Sequence, residues 1–149
     1  TDIGTPGDIH PRNKQDVGKR LAAIALHDTY HKKIISGGPV FDHYKIESNS
    51  FYVYFKPSES PLKSADSNGN VIGFEIAGTD QKFKPAIARI EGKYVVVYHK
   101  DSNAPVAVRY GWMDDASQIN LFNAAGFPAG PFRTDSWPGI TVKNKYRAE

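Results

Sequence analysis

The hydrophobic pattern of this 149-residue chain changes its period at one place, the segment Ser36-Gly37-Gly38-Pro39. Before this segment, apolar residues recur three and four positions apart, as they do on one face of an α-helix. After it, apolar and aromatic residues alternate, as they do in half-buried strands. Glycine and proline favour a turn and end a helix. The chain is therefore predicted to begin with one helical segment and to continue as a β domain.

The helical pattern runs from about residue 11 to residue 33. Pro11 is predicted to lie in the first helical turn, because its φ is preset and it has no N–H to lose. Asn13 and Asp16 supply acceptors and negative charge near the start, and Lys32 and Lys33 would complement the helix dipole at the end. The apolar face either packs on the β domain or meets another domain. It carries Val17, Leu21 and Ile24.

The part of the chain after residue 39 contains segments rich in β-branched and aromatic residues, which are typical of strands. Turn-forming residues separate them, and this spacing favours an antiparallel β-sandwich. Beyond residue 112, aromatic residues alternate with glycine and proline, so this tail is predicted to fold back over a sheet. The predicted strands are 40–46, 51–55, 74–76, 87–90, 94–98 and 106–110.

The composition excludes several functions. Lysine and arginine number 19 against 16 acidic residues, and no run of five basic residues occurs, so nothing indicates nucleic-acid binding. The longest apolar runs are far too short to span a membrane. The absence of cysteine excludes disulfides, thiolate chemistry and cysteine zinc sites. No signal peptide begins the chain and no methionine starts it, so we expect a fragment of a larger protein.

The clearest chemical motif lies in residues 7–15, where Asp8 precedes His10 by two positions. A carboxylate near an imidazole can fix its tautomer and stabilise the imidazolium that forms when the ring takes a proton. A histidine placed just before a rigid helix, with a carboxylate to orient it, is a candidate general base. Short motifs also match by chance, so ordinary loop residues are the alternative interpretation.

Five segments carry a resemblance to a known family, and they keep its order along nearly the whole chain. They are 8–22, which begins Asp-Ile-His-Pro, and 73–78, 105–112, 120–123 and 128–135. The first resembles the last sequence block of the sialate O-acetylesterases, which belong to the SGNH/GDSL-like hydrolases. The resemblance implies that residues 1–36 are the C-terminal end of an SGNH α/β hydrolase domain. This end would consist of the catalytic histidine loop and one helix of that domain. Residues 37–149 would form the β-sandwich domain.

The resemblance implies that His10 is the catalytic histidine of a serine esterase that releases acetate from O-acetylated sialic acid or a related glycan. Neither a metal nor a cofactor is required. Many SGNH hydrolases place the triad aspartate three residues before the histidine, and Gly7 occupies that position here. Asp8, or alternatively Asp2, would therefore orient His10. By analogy with such enzymes, we expect a periplasmic or secreted protein.

The serine nucleophile is not evident in this chain. No Gly-x-Ser-x-Gly elbow occurs, and for Ser136 within Asp135-Ser136-Trp137 a solvated turn is the preferred interpretation. The family's nucleophile block lies upstream, so the partner of this chain would be the missing N-terminal hydrolase domain. The chain alone is predicted to be inactive. The alternative function is a non-catalytic β-sandwich module that binds carbohydrate or is purely structural.

Four histidines besides His10 are candidates for a functional role. His27 and His31 lie four positions apart and would share a helical face, as in some zinc sites. No third ligand is evident, so exposed surface histidines are the preferred interpretation. His43 and His99 fall in or beside strands without an obvious carboxylate partner, and we assign them no role.

Aromatic residues in the second half of the chain are compatible with a sugar-stacking platform, but core packing is preferred because Phe and Trp are mostly buried. Arg109 alternates with apolar neighbours and either faces outward or pairs with an acidic residue. The aromatic residues concerned are Tyr110, Trp112, Phe122, Phe132 and Trp137.

Overall fold

A computed structural model of the chain describes residues 2–102, 104–139 and 141–142. Within these residues, one α-helix, α1 (Lys14–Ile24), continues into a π-helical turn (Ala25–Thr29) and is followed by ten strands. The strands are β1 (Phe41–Glu47), β2 (Ser50–Phe55), β3 (Leu62–Ser64), β4 (Phe74–Ala77), β5 (Lys84–Pro85), β6 (Ile87–Glu91), β7 (Tyr94–Tyr98), β8 (Ala107–Tyr110), β9 (Leu121–Asn123) and β10 (Phe132–Arg133).

The strands form antiparallel sheets throughout the described part of the chain. One sheet has the order β1-β2-β7-β6, a second has the order β10-β8-β4-β5, and β3 pairs with β9. The prediction of a mainly β, antiparallel, sandwich-like fold preceded by one helix is confirmed.

The hydrophobic core contains side chains from both four-stranded sheets. Phe132 of β10 stacks on Phe41 of β1, with ring centroids 4.5 Å apart, and so joins the two sheets. Burying each large apolar side chain contributes roughly 1.5–3 kcal/mol. The core residues of these two sheets that are at most 2% exposed include Phe51, Val53, Val95 and Val97 from the first sheet, and Phe74, Ile76, Val108 and Tyr110 from the second.

All six strands predicted from the sequence are present, with bounds that differ by at most one residue. The sequence pattern does not indicate β3, β5, β9 or β10, because two or three residues are too few to show an alternation. The tail does fold back as predicted, since β10 pairs with β8 and Phe132 enters the core.

The helix is shorter than predicted at both ends. The side chain of Asn13 accepts a hydrogen bond from the Asp16 N–H at 3.1 Å, so α1 starts after this N-cap and Pro11 lies outside the first turn. At the other end, His31 adopts a φ of 51°, a left-handed conformation that stops the helix. Lys32 and Lys33 therefore lie beyond it. No helix in the described residues is long and apolar enough to cross a membrane.

The connector predicted at residues 36–39 is held against the β domain. Asn123 is 2% exposed, and its Nδ2 donates to the Gly37 carbonyl oxygen at 2.8 Å. Its Oδ1 accepts a hydrogen bond from the Phe127 N–H at 3.0 Å. A Cβ on residue 38 would overlap the backbone of Pro128, so glycine is needed there for the close approach.

An ion pair fastens the tail to β8. Arg109 donates from Nε and Nη2 to the two carboxylate oxygens of Asp135, each at 2.8 Å, and the Asp135 side chain is 2% exposed. Arg109 thus pairs with an acidic residue, the second of the two possibilities left open by the sequence. The hydrogen bonds from Arg109 hold the pKa of Asp135 below its usual value, although burial acts in the opposite direction.

The fold is expected to lose stability in acid. A carboxyl group whose pKa is lower in the folded chain than in the unfolded chain stabilises the fold at pH values above its pKa in the unfolded chain. That stabilisation is lost as the pH falls through the pKa that the group has in the folded chain. The urea midpoint should therefore be nearly constant between about pH 5 and 7 and fall below about pH 4. The fall should be smaller in Asp135→Asn, and a midpoint that holds down to about pH 2 would contradict the expectation.

Candidate functional site

The turn at residues 5–8 determines the path of the chain into His10. The Asp8 N–H donates to the Thr5 carbonyl oxygen at 3.0 Å, and Gly7 has a φ of 75°. Proline at the second position and a positive-φ glycine at the third are the signature of a type II turn. Thr5, Pro6, Gly7 and Asp8 thus form the turn that their residue types favour.

Asp8 and His10 lie side by side in this loop. Asp8 Oδ1 accepts a hydrogen bond from the His10 backbone N–H at 2.8 Å, and the same oxygen lies 3.7 Å from His10 Nδ1. The second distance is too long for a hydrogen bond to the ring. The side chains are 83% and 39% exposed, for His10 and Asp8 respectively. Catalytic hydrogen bonds are often long in the absence of substrate. The two residue types are those of a general base and an orienting acid, and their side chains are not hydrogen-bonded to each other here.

Asp2 binds the helix instead of His10. Arg20 donates to its two carboxylate oxygens at 2.8 and 2.6 Å, and the Asp2 side chain is 9% exposed. Burial raises the pKa of Asp2, but the hydrogen bonds and charge of Arg20 outweigh it and hold that pKa below its usual value. Of the carboxylates in the described residues, that of Asp8 is the one within 4.0 Å of the His10 ring.

Helix α1 leaves its apolar face exposed. Val17, Leu21 and Ile24 are 40%, 62% and 44% exposed. The polar residues Asp16 and Arg20 instead line a crevice of about 220 Å³ with the loop at 125–127. A helix on the surface of a complete domain usually turns its apolar face inward. Of the two possibilities left by the sequence, packing of this face on the sandwich is therefore wrong. Further exposed apolar residues of the same segment are Ile9, Leu26, Tyr30 and Ile34.

The other helical candidates do not form a site. His27 Nδ1 lies 2.6 Å from Asp28 Oδ1, whereas His31 lies beyond the π-helical turn. The prediction that the two histidines share a helical face is wrong, because the helix ends between them. Within the described residues, no group of three or more acidic or histidine side chains is placed to hold a metal ion. Ser136 is exposed and forms no hydrogen bond with His10.

The aromatic residues divide into two groups. Tyr110 is fully buried, and burial raises its pKa to about 12 despite the hydrogen bond that its hydroxyl oxygen accepts from the Leu121 N–H. Core packing is thus confirmed for Tyr110 and Phe132. It is wrong for Trp112, which is 47% exposed and has the Arg133 guanidinium 5.2 Å from its ring centroid. Phe122 and Trp137 are half-buried.

His43 does have a carboxylate partner, contrary to the expectation from the sequence. Its Nδ1 lies 2.8 Å from Asp42 Oδ2. Adjacent residues of a regular strand point to opposite faces, so the sequence pattern of β1 does not indicate this pair. A bulge at Asp42 changes the alternation, and only the strand register reveals it.

The chain therefore belongs to the class of antiparallel, sandwich-like β domains. One helix precedes the β domain, and a loop before the helix exposes a histidine and an aspartate. No protein-family model and no curated protein matches the chain. Among solved structures, it is similar to XAC1771, a carbohydrate acetylesterase from Xanthomonas citri, with 45% sequence identity and a TM-score of 0.86. The alignment covers 91% of this chain and 31% of XAC1771. The chain is thus similar to a part of that enzyme, and it spans about a third of the enzyme's length.

Proposed function

We propose that this chain is part of a carbohydrate O-acetylesterase of the SGNH type. Residues 1–36 would complete its hydrolase domain, and residues 37–149 would form a β-sandwich domain beside it. The observation that carries the proposal is the exposed Asp8–His10 pair, which lies next to a helix with an uncovered apolar face. The similarity to a carbohydrate acetylesterase supports this hypothesis over a non-catalytic module.

In the proposed mechanism, His10 acts as general base and then as general acid. It takes the proton of a serine hydroxyl as the serine oxygen attacks the acetyl carbonyl, and it returns the proton to the sugar oxygen that leaves. A water molecule deprotonated by the same imidazole then attacks the acetyl-serine, and the imidazolium returns that proton to the serine oxygen as acetate is released. Asp8 orients the ring and stabilises the imidazolium. The serine would belong to the rest of the hydrolase domain, and the chemistry requires neither metal nor cofactor.

The exposed face of α1 supports an interface with that domain. Contiguous exposed apolar surface on a protein commonly marks an interaction site. Val17, Leu21 and Ile24 would be buried there, while Asp2 and Arg20 hold the loop to the helix. Covering the loop would remove water around His10 and strengthen its electrostatic contact with Asp8, because charges interact more strongly away from water.

The proposed substrate is an O-acetylated sialic acid or a related acetylated sugar. The resemblance of residues 8–22 to sialate O-acetylesterases supports the sialic acid, and the similarity to XAC1771 supports acetylated carbohydrate in general. An esterase of this kind would act in the periplasm or outside the cell.

The 149-residue chain alone is expected to hydrolyse a chromogenic acetate no faster than buffer, because the proposed nucleophile is missing. Acetate release by the purified chain is measured beside a His10→Ala variant and a buffer blank. Turnover by the unmodified chain that disappears in His10→Ala would overturn the proposal that the site is completed by another domain. Equal, buffer-level rates for both proteins support it.

A further inference from the structure

A cleft of about 470 Å³ lies at one end of the first sheet, remote in sequence from His10. Its walls are the start of β1, the end of β2, the segment 56–62 that follows, and the turn at Gly92 and Lys93. The volume lies within the range of small-molecule binding sites, about 300–1,000 Å³. Nothing in the proposed esterase mechanism uses this cleft.

A β-bulge brings two polar side chains together in its wall. Phe41 pairs with Phe55 but His43 pairs with Tyr54, so Asp42 is an extra residue without a partner across the strands. Bulges re-aim side chains and are frequent beside functional sites. Here the bulge places Asp42 Oδ2 2.8 Å from His43 Nδ1. The second carboxylate oxygen and His43 Nε2 have no hydrogen-bond partner among the described residues.

An aromatic platform adjoins this polar pair. The His43 ring stacks on Tyr54, with centroids 4.6 Å apart and 5° between the planes, and Tyr54 contacts Tyr94 at 5.3 Å. The ring stack and the contact with Asp42 together orient the imidazole, and the His43 side chain is 54% exposed. The faces of aromatic rings carry partial negative charge, and they attract the weakly positive C–H groups on the face of a sugar ring.

The charges around the cleft balance. Two acidic residues, Asp42 and Glu59, and two basic residues, Lys56 and Lys93, line it. An anionic ligand requires an excess of positive charge, which this balance does not provide. This balance favours an uncharged ligand, and the polar atoms of Asp42 and His43 suit a ligand with hydroxyl groups.

We propose that this cleft binds an uncharged sugar unit of a glycan, with its hydroxyls hydrogen-bonded to Asp42 and His43 and its ring against the His43–Tyr54 stack. The cleft is a second site, separate from the proposed catalytic loop. The proposal does not depend on esterase activity, because binding alone tests it.

The test is a titration of the ¹⁵N-labelled 149-residue chain with neutral β-linked and α-linked oligosaccharides, beside sialyllactose as the anionic probe. Amide shifts are expected with at least one neutral oligosaccharide, concentrated at residues 41–43, 54–62 and 92–93. Asp42→Ala is expected to weaken the Kd about tenfold, because it removes a charged hydrogen-bond partner from an exposed position. His43→Ala should do the same.

His27→Ala is the matched control, because His27 also lies beside an adjacent aspartate but lines no part of the cleft. Its Kd is expected to equal that of the unmodified chain. Equal weakening by His27→Ala, tighter binding of sialyllactose than of every neutral probe, or no shift at the cleft with any neutral oligosaccharide would overturn the proposal. None of these outcomes bears on acetate release, so the two proposals fail separately.

Discussion

Asp135→Asn is expected to lower the free energy of unfolding by about 3 kcal/mol, because removing one member of a buried pair leaves the other charge uncompensated. The side chains of Arg109 and Asp135 are 16% and 2% exposed, and two hydrogen bonds of 2.8 Å join them. The Arg109 guanidinium also lies 3.8 Å from the centroid of the Phe83 ring, which limits its movement toward water. Urea unfolding monitored by circular dichroism measures the change.

The control for this pair is Asp28→Asn, since the Asp28 side chain is 63% exposed and its loss is expected to cost no more than about 0.5 kcal/mol. The double variant Arg109→Met with Asp135→Asn should recover part of the loss, because it no longer buries an unpaired cation. A urea midpoint for Asp135→Asn equal to that of the unmodified chain would show that the pair contributes nothing to stability.

His10→Ala is expected to reduce kcat for acetate release on the order of 10⁴-fold or more in a longer protein that contains both this segment and the proposed serine. The reason is that the same imidazole both accepts the serine proton and donates to the leaving sugar oxygen. Asp8→Asn should cost less than His10→Ala, because Asp8 acts through His10. Release of acetate from acetylated sialosides and from acetylated neutral oligosaccharides is the measurement.

Two controls separate catalysis from folding in this experiment. His10 is 83% exposed, so His10→Ala should leave the urea midpoint unchanged. His27→Ala should leave kcat unchanged, since that histidine is also exposed and beside a carboxylate. Full activity of His10→Ala would show that this residue has no catalytic role. A loss of activity in His27→Ala equal to that in His10→Ala would indicate a structural effect.

The longer strands could be predicted because their side-chain alternation is a local property. Buried and half-buried residues alternate from Phe51 to Tyr54 and from Tyr94 to Val97. Both segments are rich in the β-branched and aromatic residues that favour strands. The short strands β5 and β10 depend on their neighbours, since two residues become a strand only when another strand supplies the hydrogen bonds. The helix limits were harder to predict, because the cap at Asn13 and the left-handed His31 compete with helix propensity.

The sequence by itself determined the type II turn at residues 5–8 and the neighbourhood of Asp8 and His10, because both depend on residues at most three positions apart. Only the tertiary structure decided that Asp2 binds Arg20, that Arg109 binds Asp135, and that the apolar face of α1 stays uncovered. These outcomes depend on contacts between distant parts of the chain. The Asp42–His43 pair is local in sequence, yet its geometry follows from the register of β1 against β2, which a single strand cannot specify.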